Sequence, residues 1–317
     1  MPLRTAATRA RRLSGLLLSL CVLGASLGAH AQAPVVTLRT YIVAGQSNAE
    51  GFGIRNIALS AKNNTDQDRY INSVVPKQDL YTIGFGTWDS TTDQALIYKA
   101  HPSTGVAPGW DAMRPHYGYY YEQYLHHNNM FGPELAIGRE VSTHLGERIA
   151  IIKYTLGGSP ISMWDPDDPA QNLYDHLLAA VNNGKNAIAP ANIALDIQGV
   201  FWMQGEADSI DQARAQAYEA NLKKFVAALR RDLNKPQLDV YVATIKDTPY
   251  LTYRQQIWNA QQTVADADPN VYLVHGRDLE TYTSDPIHYT ARGQVSLGQR
   301  FALQALYDAW GLGQVAW

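Results

Sequence analysis

Four short blocks, far apart in a chain of 317 residues, carry side chains that together suit acyl transfer. The first is Gly45-Gln46-Ser47-Asn48, directly after the apolar run Tyr41-Ile42-Val43-Ala44. The second is Gly157-Gly158-Ser159, with Trp164 soon after, and the third runs from Trp202 through Gln204 and Glu206 to Asp208. The last is Asp285-Pro286-Ile287-His288. A serine hydroxyl becomes a useful nucleophile when a neutral imidazole within hydrogen-bond reach takes its proton. His288 is the candidate base for Ser47. Asp285, three residues earlier, has the offset to hold the other ring nitrogen, fix the tautomer and stabilise the imidazolium. The attacked carbonyl develops negative charge and needs preorganised N–H donors. The amide of Ser47, a glycine amide at Gly157-Gly158 and the Gln204 side chain form a candidate set. Losing one such donor typically raises the barrier by about 2.7–4 kcal/mol.

Each residue also has a plainer reading. Ser47 suits a turn that caps a following helix. Glu206 is either a carboxylate partner for the histidine or a brace hydrogen-bonded to the first block, and Asp208 reads as a helix cap. Gln46, Asn48 and Trp164 are possible substrate contacts, with a core position the alternative for Trp164 and for Trp202. Among the other histidines, His144 and His176 fall inside predicted helices. His275 ends a predicted strand and, with Asp278 three residues on, is a second-choice base. His126-His127 lacks matching metal ligands nearby. The chemistry requires no metal and no organic cofactor.

These blocks need a scaffold that brings them to one edge. Five apolar, β-branched runs read as buried strands, at residues 35–44, 148–156, 197–203, 238–245 and 271–275. Helical patterns lie at 133–144, 172–182, 212–233, 252–266 and 290–307. In the third of these, Tyr218, Leu222, Phe225, Val226, Leu229 and Leu233 share one face, with Asp211 or Ser209 able to cap its start. Strand and helix in alternation argue for an α/β fold, a three-layer α/β/α sandwich around a central five-stranded parallel sheet. Ligands in such sheets bind beyond the carboxyl ends of the strands, where all four blocks fall. Residues 54–130 break the pattern as a long polar insertion without sustained periodicity. Its tyrosines, Tyr117, Tyr119, Tyr120, Tyr121 and Tyr124, read as a satellite cluster pinning the insertion or as an aromatic wall for a sugar or aryl group.

The first 31 residues read as a cleavable leader. Arg4, Arg9, Arg11 and Arg12 precede a short apolar stretch at 16–27, and Ala29-His30-Ala31 supplies a cleavage pattern. The stretch is too short for a spanning helix, which needs about 20 apolar residues. Arg11-Arg12 is the one mark of twin-arginine export, and the residues after it fit that signal poorly. The expectation is a secreted or periplasmic protein whose residues 32–317 form a single domain. Cleavage removes the only cysteine, Cys21, and four arginines with no acid, leaving 22 basic against 29 acidic residues. That balance argues against nucleic acid or an anionic membrane as partner. A sugar is compatible with it; oligomeric state is not readable.

Taken in order, the blocks resemble those of the GDSL-related SGNH hydrolases, and more closely the sialate O-acetylesterase-like branch with carbohydrate esterase family six. That branch carries Gly-Gln-Ser-Asn, a Gly-Gly-Ser/Thr block followed by Trp, Trp-x-Gln-Gly-Glu-x-Asp, and Asp-x-x-His. Gly132-Pro133-Glu134-Leu135 resembles a further family segment. The resemblance spans nearly all of residues 32–317. It implies a flavodoxin-like SGNH fold and a serine esterase that removes acetyl groups from carbohydrate. Ser47 matches its nucleophile, His288 its base, Asp285 the base's partner, and Gly158 and Gln204 its oxyanion donors. Gln46 and Gln204 replace the Asp and Asn of the wider superfamily, which narrows the resemblance to this branch. Two alternatives remain: an esterase for feruloyl or other larger acyl groups, and a non-catalytic carbohydrate-binding protein on an esterase scaffold.

Overall fold

The computed structural model describes residues 34–54, 92–100, 108–115, 117–118, 130–283 and 285–317. The leader region and most of the tyrosine cluster therefore lie outside the described residues, as does His126-His127. In chain order, β1 (Val36–Gly45) leads into a one-turn helix, α1 (Ser47–Glu50), and then β2 (Gly53–Ile54). Next come β3 (Thr92–Ala100), β4 (Gly109–Met113), β5 (Met130–Phe131), α2 (Glu134–Leu145) and β6 (Ile149–Thr155). A 3₁₀ turn (Ile161–Trp164) precedes α3 (Leu173–Ile188). The chain continues with β7 (Ile193–Met203), α4 (Gln212–Asp232), β8 (Asp239–Ala243), α5 (Arg254–Ala267), β9 (Val271–Val274) and α6 (Ala291–Ala309).

Among the described residues the main sheet has seven strands, in the order β4-β3-β6-β1-β7-β8-β9. The five expected strands are its parallel centre, and numbered among themselves they run 2-1-3-4-5, the flavodoxin-like order. The expected count of five is corrected by β3, parallel to β6, and by β4, antiparallel to β3. Both come from the stretch read as an element-free insertion. Asp93, Gln94 and Lys99 interrupt the apolar pattern of β3, so neither an alternating nor a continuous strand signal is present. Helix α3 also runs six residues past its expected end. Gly184 lies within it, packed close against Ile152 and the Tyr98 ring, so the glycine marks close helix–sheet approach and not a stop.

Strand parity shows that helices cover both faces. Gly138 of α2 meets Ala95 while Gly184 of α3 meets Tyr98, and residues 95 and 98 of β3 point to opposite sides. On β7, Phe201 packs on Phe301 of α6 and Trp202 on Phe225 of α4. Every residue of β6 is buried, as a strand covered on both faces requires. Across the α6 side an aromatic ladder of Tyr41, Phe201, Tyr241 and Tyr272 crosses four strands, with centroids 5.2, 5.0 and 5.5 Å apart. Each such contact contributes roughly 0.5–1.5 kcal/mol beyond area burial.

One feature of the core had no sequence signal. Lys153 points from β6 into the interior, fully buried, and donates to the backbone oxygens of Glu50 (2.7 Å) and Tyr117 (2.8 Å) and to Glu134 Oε2 (2.6 Å). Glu134 in turn accepts from the Gly132 amide. Burial pushes the lysine's pKa down, and the Glu134 carboxylate opposes that shift. Nearby Lys99 is pushed down to about 8 by burial and by Lys153. A buried pair that loses one partner leaves the other charge uncompensated. Lys153→Met is therefore expected to cost about 3–5 kcal/mol of stability in urea unfolding. The double variant Lys153→Met/Glu134→Leu should recover most of that loss.

Candidate active site

β1 sits where the connections diverge, with β6 on one side and β7 on the other, so its carboxyl end opens at the switch point of the sheet. Gly45 makes the turn there. Its φ is +133°, and a Cβ at this position would lie only 2.0 Å from the Met203 carbonyl oxygen, which leaves room for glycine alone. Gln46 then caps α1, and Ser47 opens it. As the first helical residue Ser47 has a backbone N–H with no intrahelical acceptor.

The structure brings three of the expected residues into one hydrogen-bonded row. His288 Nε2 lies 2.9 Å from Ser47 Oγ, and His288 Nδ1 lies 2.5 Å from Asp285 Oδ2. Asp285 Oδ1 accepts from the amides of Ile287 and His288, so the carboxylate organises its own loop. Ser47 is buried but still 5% exposed. Phe52, which the sequence did not single out, stacks on the imidazole with centroids 4.1 Å apart and planes 20° from parallel. The Tyr282 hydroxyl donates to the Phe52 carbonyl and holds that ring's backbone in place.

Asn48 and Glu206 form a clamp on the same loop. Asn48 Nδ2 donates to Glu206 Oε1 (2.7 Å) and to the Ile287 carbonyl (3.0 Å), while its Oδ1 accepts from the Tyr289 amide (3.0 Å). The two residues flanking His288 are thus gripped by one side chain on the helix that Ser47 opens. Asn48 is fully buried and has its donors and acceptor engaged, so its expected contact with substrate is corrected to a positioning one. Among the described residues the Glu206 carboxylate hydrogen-bonds Asn48 and not the imidazole. Burial pushes its carboxyl toward the neutral form, opposed by the Asn48 bond and by His288.

The remaining residues lie between the β6 and β7 turns. Gln204 Nε2 donates to Asp208 Oδ2, to the Ser159 carbonyl (3.1 Å) and to Gln46 Oε1 (3.2 Å). Asp208 also accepts from the Ile161 amide; the cap of α4 is instead Asp211, which accepts from Arg214 N. Gly158 has φ +70° and an exposed backbone, and its N–H has no partner among the described residues. Gly157 differs, since its N–H donates to Glu50 Oε2 at 3.1 Å. Trp164 is fully buried. It donates to Ser159 Oγ and packs edge-on against Trp202, Tyr154 and Phe225, so its expected substrate contact is corrected to a core position. His275 sits elsewhere, 3.2 Å from Asp278, whose carboxylate is held by Arg300. Among the described residues no group of three His, Cys, Asp or Glu side chains has metal-binding geometry, and no helix is long and apolar enough to cross a membrane.

An imidazole on a hydroxyl, a carboxylate on that imidazole, and N–H groups at Ser47 and Gly158 without a partner among the described residues are the parts that could attack a carbonyl and hold its oxyanion. A family model described as carbohydrate esterase, sialic acid-specific acetylesterase, matches residues 37–307. The probable carbohydrate esterase At4g34215 of Arabidopsis thaliana is 27% identical over 174 residues, or 54% of this chain and 62% of that protein's length. Its 1.6 Å structure superposes with a TM-score of 0.64 at 21% identity, over 87% of this chain and 99% of that one. NanS superposes at 0.58 with 17% identity, over 88% and 98%. A carbohydrate acetylesterase from Xanthomonas citri, XAC1771, superposes at 0.56 with 17% identity, over 86% and 56%. These structural likenesses are of fold.

The electrostatics beneath the site generate a pH prediction. Burial pushes the Asp208 carboxyl up from 3.8 to about 6, against the Gln204 and Ile161 bonds that pull it down. Between those values the folded protein holds a proton that the unfolded chain has released. The contribution of this group is therefore full below the window and lost as pH rises through it. In urea melts, the stability of the wild type relative to Asp208→Asn should decline as pH rises from about 4 to about 6 and stay level above about 7.

Proposed function

Since the chain belongs to the sialic acid-specific acetylesterase family of carbohydrate esterases, we propose that it is a serine esterase that removes O-acetyl groups from carbohydrate. The observation that carries this reading is the Ser47–His288–Asp285 row at the switch point of the sheet. His288 Nε2 accepts the hydroxyl proton as Ser47 Oγ bonds to the ester carbonyl carbon. The proton then passes to the departing sugar oxygen, leaving acetyl-Ser47 and the free alcohol. Water, deprotonated by the same imidazole, attacks the acyl-enzyme and releases acetate. Asp285 keeps Nδ1 protonated and stabilises the imidazolium, while the stacked Phe52 and the Asn48–Glu206 clamp restrict ring and loop. No step needs a metal or an organic cofactor.

The substrate is an acetylated polysaccharide or a sialic acid-type glycan, and the sugar and ester position are for a substrate panel to assign. The chain spans about 62% of the Arabidopsis relative it matches, so that protein's properties are not carried over whole. The basic, apolar N-terminal stretch supports export, with action outside the cytoplasm or in the periplasm. The feruloyl and binding-only alternatives are separated from the proposal by acetate release from acetylated glycans and by labelling of Ser47 with a fluorophosphonate.

Two mutational outcomes test the mechanism. Ser47→Ala should lower kcat on an aryl acetate by about 10⁴-fold or more, and a variant retaining wild-type turnover sinks the acyl-enzyme route. Asp285→Asn should lose on the order of 10⁴ in acylation rate through the wrong tautomer. Glu206→Gln keeps an oxygen for Asn48 to donate to and should lose roughly tenfold or less. The reverse ranking would make Glu206 the acid.

A further inference from the structure

The family resemblance gives Gln204 the side-chain role at the oxyanion, yet its geometry leaves it nothing to offer. Its Nε2 group already donates to three protein acceptors, Asp208 Oδ2, Ser159 O and Gln46 Oε1. The residue is fully buried. Turning its carboxamide over would set an oxygen against all three of those acceptors.

Gln46 presents the opposite case. Its Oε1 accepts from Gln204 Nε2 (3.2 Å), Gly205 N (3.4 Å) and Ala207 N (3.2 Å). Three donors around one oxygen fix the carboxamide, because the flipped form would face N–H against N–H. The Nε2 group therefore turns away from the β7 turn. It meets no acceptor among the described residues, and it is not among the polar atoms sealed from solvent, although Gln46 as a whole is only 2% exposed. Its surroundings are also fixed. Ser47 is the next residue, and the Gln204 nitrogen that reaches Gln46 Oε1 lies 3.1 Å from Ser159 O, which puts the carboxamide beside the turn that carries Gly158. An amide whose carbonyl already accepts several bonds is polarised into a stronger donor.

Building on the esterase reading above, we infer that Gln46 Nε2 is the side-chain donor to the oxyanion, acting with the backbone N–H groups of Ser47 and Gly158. Gln204 is then a positioning residue: it orients Gln46 and ties it to Asp208 and the Ser159 turn. This reverses the expected roles of the two glutamines. The possible substrate contact of Gln46 becomes a contact made as the carbonyl turns tetrahedral.

Gln46→Glu keeps an oxygen for the three donors and removes the N–H2 group. On an aryl acetate at neutral pH its kcat should fall about 100-fold with KM little changed. Affinity for a boronic acid that forms a tetrahedral adduct on Ser47 should fall in parallel. A folded variant with wild-type kcat and boronate affinity overturns the inference. If the variant does not fold, side-chain amide NMR of the wild type decides. On forming the boronate adduct, a Gln46 Nε2 proton should move downfield while those of Gln204 stay in place; movement at Gln204 with Gln46 silent overturns it. A wild type that neither hydrolyses acetyl esters nor forms the adduct defeats the esterase reading itself. One that does both while Gln46 is silent defeats this inference alone.

Discussion

Buried polar groups must find hydrogen bonds inside the protein, and at the end of β1 three side chains within five residues direct theirs into the site. Gln46, Asn48 and Glu50 are all buried on the turn and helix that carry Ser47. Each reaches a different part of the site. Gln46 accepts from the β7 turn, Asn48 grips the histidine loop on both sides of His288, and Glu50 accepts from Gly157 beside the glycine turn after β6. The neighbours of Ser47 therefore set the positions of the His288 loop and of the glycine turn after β6. Breaking one bond leaves a buried group unpaired, typically at a cost of about 1–3 kcal/mol, so the arrangement is held as a unit.

Beneath that unit lies Lys153. A buried ammonium is costly on its own, and this one is acceptable because Glu134 and two backbone oxygens surround it. One of those oxygens belongs to Glu50, the last residue of α1. The start of α2, β6 and the end of α1 thus meet at a single charge. The core and the site are not separate parts of this fold, since the lysine that ties the layers together also anchors the helix that presents Ser47.

Some of this architecture was legible in residue types. The five parallel strands and their helices follow from apolar periodicity, and apart from the far end of α3 and the start of β7 their ends fall within two residues of expectation. β3 was hidden because its pairing with β6 overrides a polar, irregular sequence, as tertiary context often does for short strands. Phe52 was hidden for a different reason. A lone aromatic between two glycines carries no chemical signature until the imidazole it stacks on arrives from 236 positions away in the sequence.

The sequence by itself supplied the candidate residues of the site and the sheet edge on which they fall. Ser, His, Asp and two Gln side chains follow predicted strands, and in a parallel sheet strand ends converge on one edge. Only the tertiary structure decided which of their hydrogen-bonding groups are already taken. Asn48 and Trp164 proved to be internal, Glu206 bonds Asn48 and not the imidazole, and Gln204 has its donors engaged where Gln46 does not. The physical reason is that residue type fixes how many hydrogen bonds a group can make, whereas their assignment depends on distances between segments far apart in the chain.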